Sequence, residues 1–328
     1  MDNLIILADS DGTEIRYLDY TKIDIDLNDT RDFELTVSTF DWRDDIDFGS
    51  MIFIPNTEYG GIIGTRKTET AENAVIITGR TWRGILDKKI VEPPTGQDYR
   101  YLTGELNTVI SMLIDNAGLS GLFGVSTEST GVDLSNYQVN RYDTLLTVLY
   151  NALKSKNYRL DITYNQTSNP HVVLSAQPIV DHSSEIELSQ DNNLNFALEE
   201  IKNGVNHLIC LGKGELKERE VINLYIAEDG SVGTTPYYTG IDDVTEVYED
   251  TSTDELQQKG TEKLLELASK QIFDMDVVSL DLDIAIGDIV GGRDYITGMA
   301  MAKPIVNKIY RIENGKKSIE YELEGDEQ

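Results

Sequence analysis

Apolar and polar residues alternate along much of the first ninety positions. Ile23, Ile25 and Leu27 alternate with Lys22, Asp24 and Asp26. After a turn at Asn28–Arg31, Phe33, Leu35 and Val37 alternate with Asp32, Glu34 and Thr36. A side-chain period of two with one wet face predicts strands covering a small core. The run LIILADSDGTEI sets an Asp-Ser-Asp-Gly turn between apolar stretches and predicts a hairpin. Further strands are predicted at Met51–Pro55, Gly61–Arg66 and Ala74–Arg80. Short strands cut by turns point to a barrel or sandwich over residues 1–92.

The period changes after Pro93-Pro94. Leu106, Val109, Ile110, Leu113, Ile114 and Ala117 follow helical spacing, and Gly118 is placed to end that helix. A second helix is predicted from an N-cap at Asp143, with Leu145, Leu146, Leu149 and Leu153 on its apolar side. Strands follow at 158–164 and 171–176. Residues 93–184 therefore read as an α+β unit.

Strand-like runs return from residue 185 with IELSQ, NLNFALEEI and VNHLICLGKG. Ser252-Thr253-Asp254-Glu255 has the form of a capping box opening a helix that carries Leu256, Leu264 and Leu267. Asn314-Gly315 is a strong type I′ hairpin signal. That turn sets Glu313 opposite Lys316, Tyr310 opposite Ile319, Lys308 opposite Tyr321 and Val306 opposite Leu323. Its apolar face then holds Val306, Tyr310, Ile312, Ile319, Tyr321 and Leu323. The expected fold is β-rich α+β, with two antiparallel barrel-like domains, 1–92 and 185–328, flanking the α+β domain 93–184. The second barrel domain carries an acidic insertion and one helix.

Charge narrows the possible partners. Asp and Glu number 58 against 28 Lys and Arg, a net charge of −30. Such a surface repels a phosphate backbone, so stable nucleic-acid binding is not expected. From Glu220 to Gln258 there is no Lys or Arg, while Glu228, Asp229, Asp242, Asp243, Glu246, Glu249, Asp250, Asp254 and Glu255 supply carboxylates. One reading is a solvated face that keeps the protein soluble; the other is the lining of a passage through which DNA slides without sticking. The sequence has no apolar run long enough to span a bilayer, and MDNLIILADSDG has no basic leader, so cytosolic synthesis is expected. A single cysteine, Cys210, leaves no disulfide framework and no thiolate cluster.

No catalytic or cofactor-binding constellation emerges. His171 begins a predicted strand, His182 lies in a polar turn, and His207 shares an apolar strand with Cys210. Residues i and i+3 on a strand point to opposite faces, so His207 and Cys210 do not form a base–nucleophile pair. Gly212–Gly214 and Gly291–Asp294 lack the remaining glycines of a phosphate loop and read as strand-end turns. The acidic run from Asp24 lacks a calcium loop's central Gly and has Leu35 where the closing Glu belongs. Carboxylate pairs of the glycosidase kind are not decided by counting in so acidic a chain. No metal or cofactor is expected, and the chain is not read as an enzyme.

Three segments carry a family resemblance: Ile284–Gly325, Tyr142–Tyr164 (YDTLLTVLYNALKSKNYRLDITY) and Trp82–Pro94 (WRGILDKKIVEPP). They resemble, in turn, the closing segment, the helix-then-strand module and the first-barrel exit of the phage tail hub proteins, including the Gp37-like group of siphophage tails. The segment after Gly214 matches nothing in that family. The resemblance implies a base-plate hub in which three subunits close a ring and two barrels per subunit match a six-fold tube. It implies a homotrimer joined to tail tube protein, distal tail protein and tail-tip or tape-measure components, around a DNA channel. The expected location is the virion tail tip, after assembly in the host bacterial cytoplasm and without membrane insertion. Larger family members append lytic or receptor-binding domains. Here the chain ends after the last hairpin, so such activity is expected from another polypeptide. The alternatives are a tail-tip hydrolase of cell-wall polymer and a tail protein that binds host carbohydrate.

Overall fold

The structure is a computed structural model that describes residues 4–184, 187–188, 195–251, 255–278, 284–313 and 315–324. The chain divides into two compact units. One draws on residues up to Asn195 and from Met275 to Glu324, the other on Phe196–Asp274.

In the first unit the N-terminal strands are β1 (Ile6–Ala8), β2 (Glu14–Tyr17), β3 (Lys22–Asp26), β4 (Asp32–Ser38), β5 (Met51–Phe53), β6 (Gly60–Glu69) and β7 (Ala74–Thr81). The alternation holds: Ile23, Ile25, Leu27, Phe33, Leu35 and Val37 are all buried. Asp26 departs from its predicted wet face and is buried, because its carboxylate accepts the N–H groups of Asn28 and Asp29 at 3.1 and 2.9 Å and anchors the turn. Phe33 lies across two glycines. A Cβ at Gly61 would sit 3.0 Å from its ring and one at Gly79 2.7 Å, so β6 and β7 stay bare where the ring crosses them.

Helix α1 (Trp82–Asp87) follows β7 directly. Sequence periodicity missed it because six residues make fewer than two turns. Thr81 caps it by accepting from Gly84 N–H at 3.2 Å, and Trp82 and Leu86 are fully buried. Next come β8 (Arg100–Glu105), α2 (Leu106–Asn116), β9 (Phe123–Val125), β10 (Asp133–Val139), α3 (Leu145–Lys154), β11 (Tyr158–Tyr164) and β12 (Val172–Pro178). Helix α2 buries the predicted Leu106, Val109, Ile110, Leu113 and Ile114, and Gly118 ends it at φ +69°. The N-cap of α3 is Thr144 rather than Asp143: its hydroxyl accepts from Thr147 N–H at 3.2 Å. Strands β8, β9 and β10 carry too few consecutive alternating apolar positions to be seen in sequence.

The first strands and this α+β region share one core. It joins Ile6, Met51, Phe53, Trp82 and Leu86 to Leu106, Ile110, Leu149, Ile162 and Tyr164. Tyr164 stacks on Phe53 at 3.6 Å between centroids and faces Trp82 at 6.0 Å.

The second unit begins within β14 (Asn195–Ile201), which follows a short β13 (Glu187–Leu188). It holds β15 (His207–Leu211), β16 (Val221–Ile226), β17 (Val232–Gly233), β18 (Thr245–Glu249) and α4 (Leu256–Leu267). The acidic segment, with no strand assigned from sequence, therefore supplies three strands of a four-stranded sheet ordered β17-β16-β15-β18. α4 lies on one face, packing Leu256 and Leu264 against Leu208, Cys210 and Leu224. The expected capping residues Ser252, Thr253 and Asp254 lie outside the described residues, as does most of IELSQ. β19 (Lys270–Val278) leads back to the first unit.

The last strands are β20 (Ile289–Arg293), β21 (Ala300–Glu313) and β22 (Lys316–Leu323). Glu313 faces Lys316, Tyr310 faces Ile319 and Lys308 faces Tyr321, as the turn dictated. Gly315 takes φ +74°, while its turn partner Asn314 is outside the described residues. Beyond Asn307 the register shifts, so Ile305 rather than Val306 opposes Leu323. An irregularity of this kind adds a residue to one strand, which turn chemistry at the far end does not foretell. Gly291 and Gly292 lie inside β20 rather than in a turn, because both are enclosed between β21 and β13.

β21 also pairs with β3, placing Ile309–Glu313 against Lys22–Asp26. One antiparallel path thus runs β22-β21-β3-β4-β7-β6-β5-β1-β2. Among the described residues no pairing closes that path into a ring. The sequence expectation of barrels outran its basis, since alternation reports a half-buried sheet and is silent on whether its edges meet.

Gly260 offers a test of the packing under α4. Its Cβ would lie 2.4 Å from Cys210 Sγ and 3.0 Å from Leu224 Cδ1. Ala favours a helix over Gly by about 1 kcal/mol, yet Gly260→Ala is expected to lower stability by about 1–2 kcal/mol through overpacking. In a Cys210→Ala background the same change should become neutral or stabilising, read by urea denaturation of all four proteins.

Candidate functional site

The residues singled out by chemistry occupy separate places. His171 precedes β12 and lies against Tyr164, with ring centroids 5.6 Å apart and planes 20° from parallel. The turn between β1 and β2 closes over it: a Cβ on Gly12 would stand 2.4 Å from His171 Cδ2. This is a packed aromatic pair. His182 donates its backbone N–H to Ile289 O at 2.8 Å, tying the connection after β12 to β20.

His207 and Cys210 sit on β15 with opposite orientations. Cys210 is fully buried beneath α4, and burial pushes its thiol pKa up, away from thiolate reactivity. On the other face, His207 has partners at both ring nitrogens. Nε2 is 3.0 Å from Asn223 Oδ1 on β16, and Nδ1 is 3.0 Å from Thr245 Oγ1 and 3.3 Å from Asp243 Oδ1. Tyr225 stacks on the ring at 4.3 Å. The imidazole thereby pins three strands together. No group of three or more His, Cys, Asp or Glu side chains is placed to hold a metal among the described residues. No described helix is long and apolar enough to cross a membrane.

Buried charge in the first unit is structural. Arg83 on α1 pairs with Glu58 and donates to Leu160 O at 3.2 Å. Arg159 of β11 reaches Asp288 at 2.9 Å, and the same carboxylate oxygen accepts Val180 N–H at 2.9 Å. Both pairs clamp the α+β region to neighbouring strands.

One surface feature escaped the sequence reading. The loop from Thr39 to Ser50 joins β4 to β5 and carries Phe40, Trp42 and Phe48 among Asp41, Asp44, Asp45 and Asp47. Arg66 of β6 lies between the Trp42 and Phe48 rings, 5.6 and 5.4 Å from their centroids, and donates to Ile46 O at 3.2 Å. Such cation–π contacts are worth roughly 0.5–1 kcal/mol when exposed. Arg16 of β2 grips the loop by two hydrogen bonds to Asp45, at 2.6 and 3.0 Å. The available signal was the density of aromatics between acids in a stretch without alternation.

The arrangement is a β-rich α+β scaffold whose polar clusters hold strands and loops in place. It has the fold of phage tail and baseplate proteins. The tail protein from Neisseria meningitidis MC58 superposes with a TM-score of 0.54 and 14% identity, over 98% of this chain and 96% of that one. The prophage MuSo2 43 kDa tail protein from Shewanella oneidensis gives 0.56 and 14%, over 99% of both chains. A chain of the phage P2 baseplate in its activated conformation with Ca gives 0.51 and 10%, over 99% of this chain and 100% of that one. At such identities the likeness is one of fold. No protein-family model matches the sequence, and no curated protein matches it.

Two measurements test these assignments. Cys210 should resist a thiol reagent in the native protein and label fully once α4 is unfolded by denaturant. The hydrogen bond from Arg16 holds the Asp45 carboxyl below its ordinary value of 3.8. A carboxylate with a depressed folded pKa adds stability above its unfolded pKa and loses it as pH falls through the folded one. Asp45→Asn should therefore lower stability at pH 7 by roughly 0.5–1 kcal/mol. The gap to wild type should close as the pH is taken well below 3.8.

Proposed function

We propose that this protein is a structural hub subunit of a phage, or phage-derived, tail tip, joining the tail tube to distal tail components. The observation that carries this reading is the near end-to-end correspondence with tail and baseplate chains, in which almost all of both chains aligns. The chemistry of the interior agrees with it. The side chains of His171, His207 and Cys210 are engaged in packing and strand registration, which favours an adaptor over a hydrolase built on them.

In this proposal residues 1–92 and 185–328 contribute the two strand-rich parts of each subunit, joined through the β3–β21 pairing, and residues 93–184 the α+β part. Three subunits form a cyclic homotrimer around a channel for DNA, bounded by tail tube protein, distal tail protein and tail-tip or tape-measure components. A net charge of −30 per subunit suits a conduit that does not retain its cargo. The acidic residues of 220–258 are candidates for that lining.

Like charges drawn around a narrow ring repel, and the Debye length falls to about 3 Å at 1 M salt. Sedimentation across a salt series, with and without tube protein, should show a trimer favoured by added salt. A monomer under every condition, or an assembled axis lined with Lys and Arg, would overturn the reading. Cell-wall hydrolysis that survives purification and disappears in a folded variant lacking His171, His182, His207 and Cys210 would overturn it too.

A further inference from the structure

The sheet of the second unit has two faces with unlike fates. Leu208, Cys210 and Leu224 turn toward α4 and are buried. The opposite face is set by register. Ile209 pairs with Asn223 and Val247, Leu211 with Val221 and Glu249, and His207 with Tyr225 and Thr245. Directly paired residues share a face, so these nine side chains form one surface. Val221 and Val247 on it are 50% and 61% exposed, more than a stacked layer would leave. Ile209 and Leu211 between them are partly buried.

Four aliphatic side chains, Ile209, Leu211, Val221 and Val247, adjoin on this surface, with Asn223 beside Ile209. His207, bound to Asn223 and Thr245 and stacked on Tyr225, fixes one end. At the other end Arg219 is paired with Glu249. Contiguous exposed aliphatic residues on a sheet face are a feature of interaction sites. The charge around them selects the partner. Glu220–Gln258 holds ten carboxylates and no Lys or Arg. Asp243 beside His207 and Glu249 beside Leu211 place two of these carboxylates against the surface itself. The same face of a second copy would bring its own Asp243 and Glu249 against these two, within a segment that has no Lys or Arg to answer them. Complementarity requires the reverse pattern.

We propose that the open face of this sheet, centred on Ile209, Leu211, Val221 and Val247, docks a protein partner that presents apolar side chains bordered by Lys or Arg. The inference goes beyond the tail-hub reading and stands without it. The partner's apolar residues cover the aliphatic centre, and its cations meet the acids of the rim. Apolar burial supplies affinity, while the charges supply steering and keep this face from pairing with its own copy.

A cyclised β-hairpin peptide with Val on one face and Lys at its border is a direct probe. Two companions replace Val by Ser, or Lys by Glu. With the full chain at low salt, the Val/Lys hairpin should bind and slow amide exchange in β15, β16 and β18. Both companions should bind at least tenfold more weakly. The double variant Val221→Ser/Val247→Ser should weaken Val/Lys binding tenfold or more at unchanged melting temperature. Both sites are half or more exposed, so folding is preserved, and Val247→Lys gives a second variant expected to lose binding. The proposal is overturned by equal binding of the Ser/Lys hairpin, which would mean charge alone is read. It is equally overturned by an absence of binding, by protection elsewhere, by indifference to the variants, or by concentration-dependent protection of these strands in the protein alone.

Discussion

The pairing of β3 with β21 is the constraint on which the first unit depends. It brings Lys22–Asp26 against Ile309–Glu313, residues separated by most of the chain. Without it the sheet falls into an N-terminal piece and a C-terminal piece, each with a raw edge. Several interactions secure it. Arg311 reaches across to Asp24 at 2.8 Å and also pairs with Glu320 on β22. Asn28 donates its backbone N–H to Asn307 Oδ1 and its side-chain amide to Val306 O, each at 2.8 Å. Tyr310 packs against Tyr59 at 4.5 Å, and burial drives its phenol pKa far upward. Closing so long a loop costs only a little more than closing one half as long, so a few well-made contacts suffice.

What the sequence disclosed followed from local rules. Strict alternation marked β3 and β4, helical spacing marked α2 and α3, and the Asn-Gly signal set the register near the tip of the last hairpin. The missed elements are those decided by tertiary contact. α1 is too short for a period and is fixed by Trp82 entering a core shared with Tyr164 and Phe53. The acidic strands β16 and β18 owe their place to Leu224 and Tyr248 packing with residues of α4. Charge masked that signal, because carboxylates crowd the connections and edges while the buried positions are few. The candidate surfaces were less legible still. Neither the grip on Arg66 nor the open sheet face has a motif; each is a product of which strands come to lie side by side.

Charge in this protein is divided by role. The buried Arg83 holds Glu58 and the Leu160 carbonyl, and the part-buried Arg159 holds the buried Asp288, which fixes the Val180 N–H. Among the residues whose burial is described, Asp26, Asp288 and Asp294 are the buried acids, and the others reach water and counterions that screen them. Stability therefore rests on apolar cores in both units, with ion pairs acting as locators. Added salt relaxes the surface repulsion and screens the half-exposed Arg311 pairs more than the Arg83–Glu58 pair, whose cation is buried.

The two ends of the second unit are stitched to each other. Gly204 N–H donates to Ser269 Oγ at 3.1 Å, Val205 N–H donates to Leu267 O at 2.8 Å, and a Cβ at Gly204 would strike the Ala268–Ser269 backbone. A segment whose entrance and exit meet behaves topologically as a surface loop, whatever is folded inside it. Its interior can be exchanged, enlarged or pared back with no change in the span that the surrounding chain must bridge. The segment can therefore change in size and sequence while the chain on either side of it keeps its own constraints.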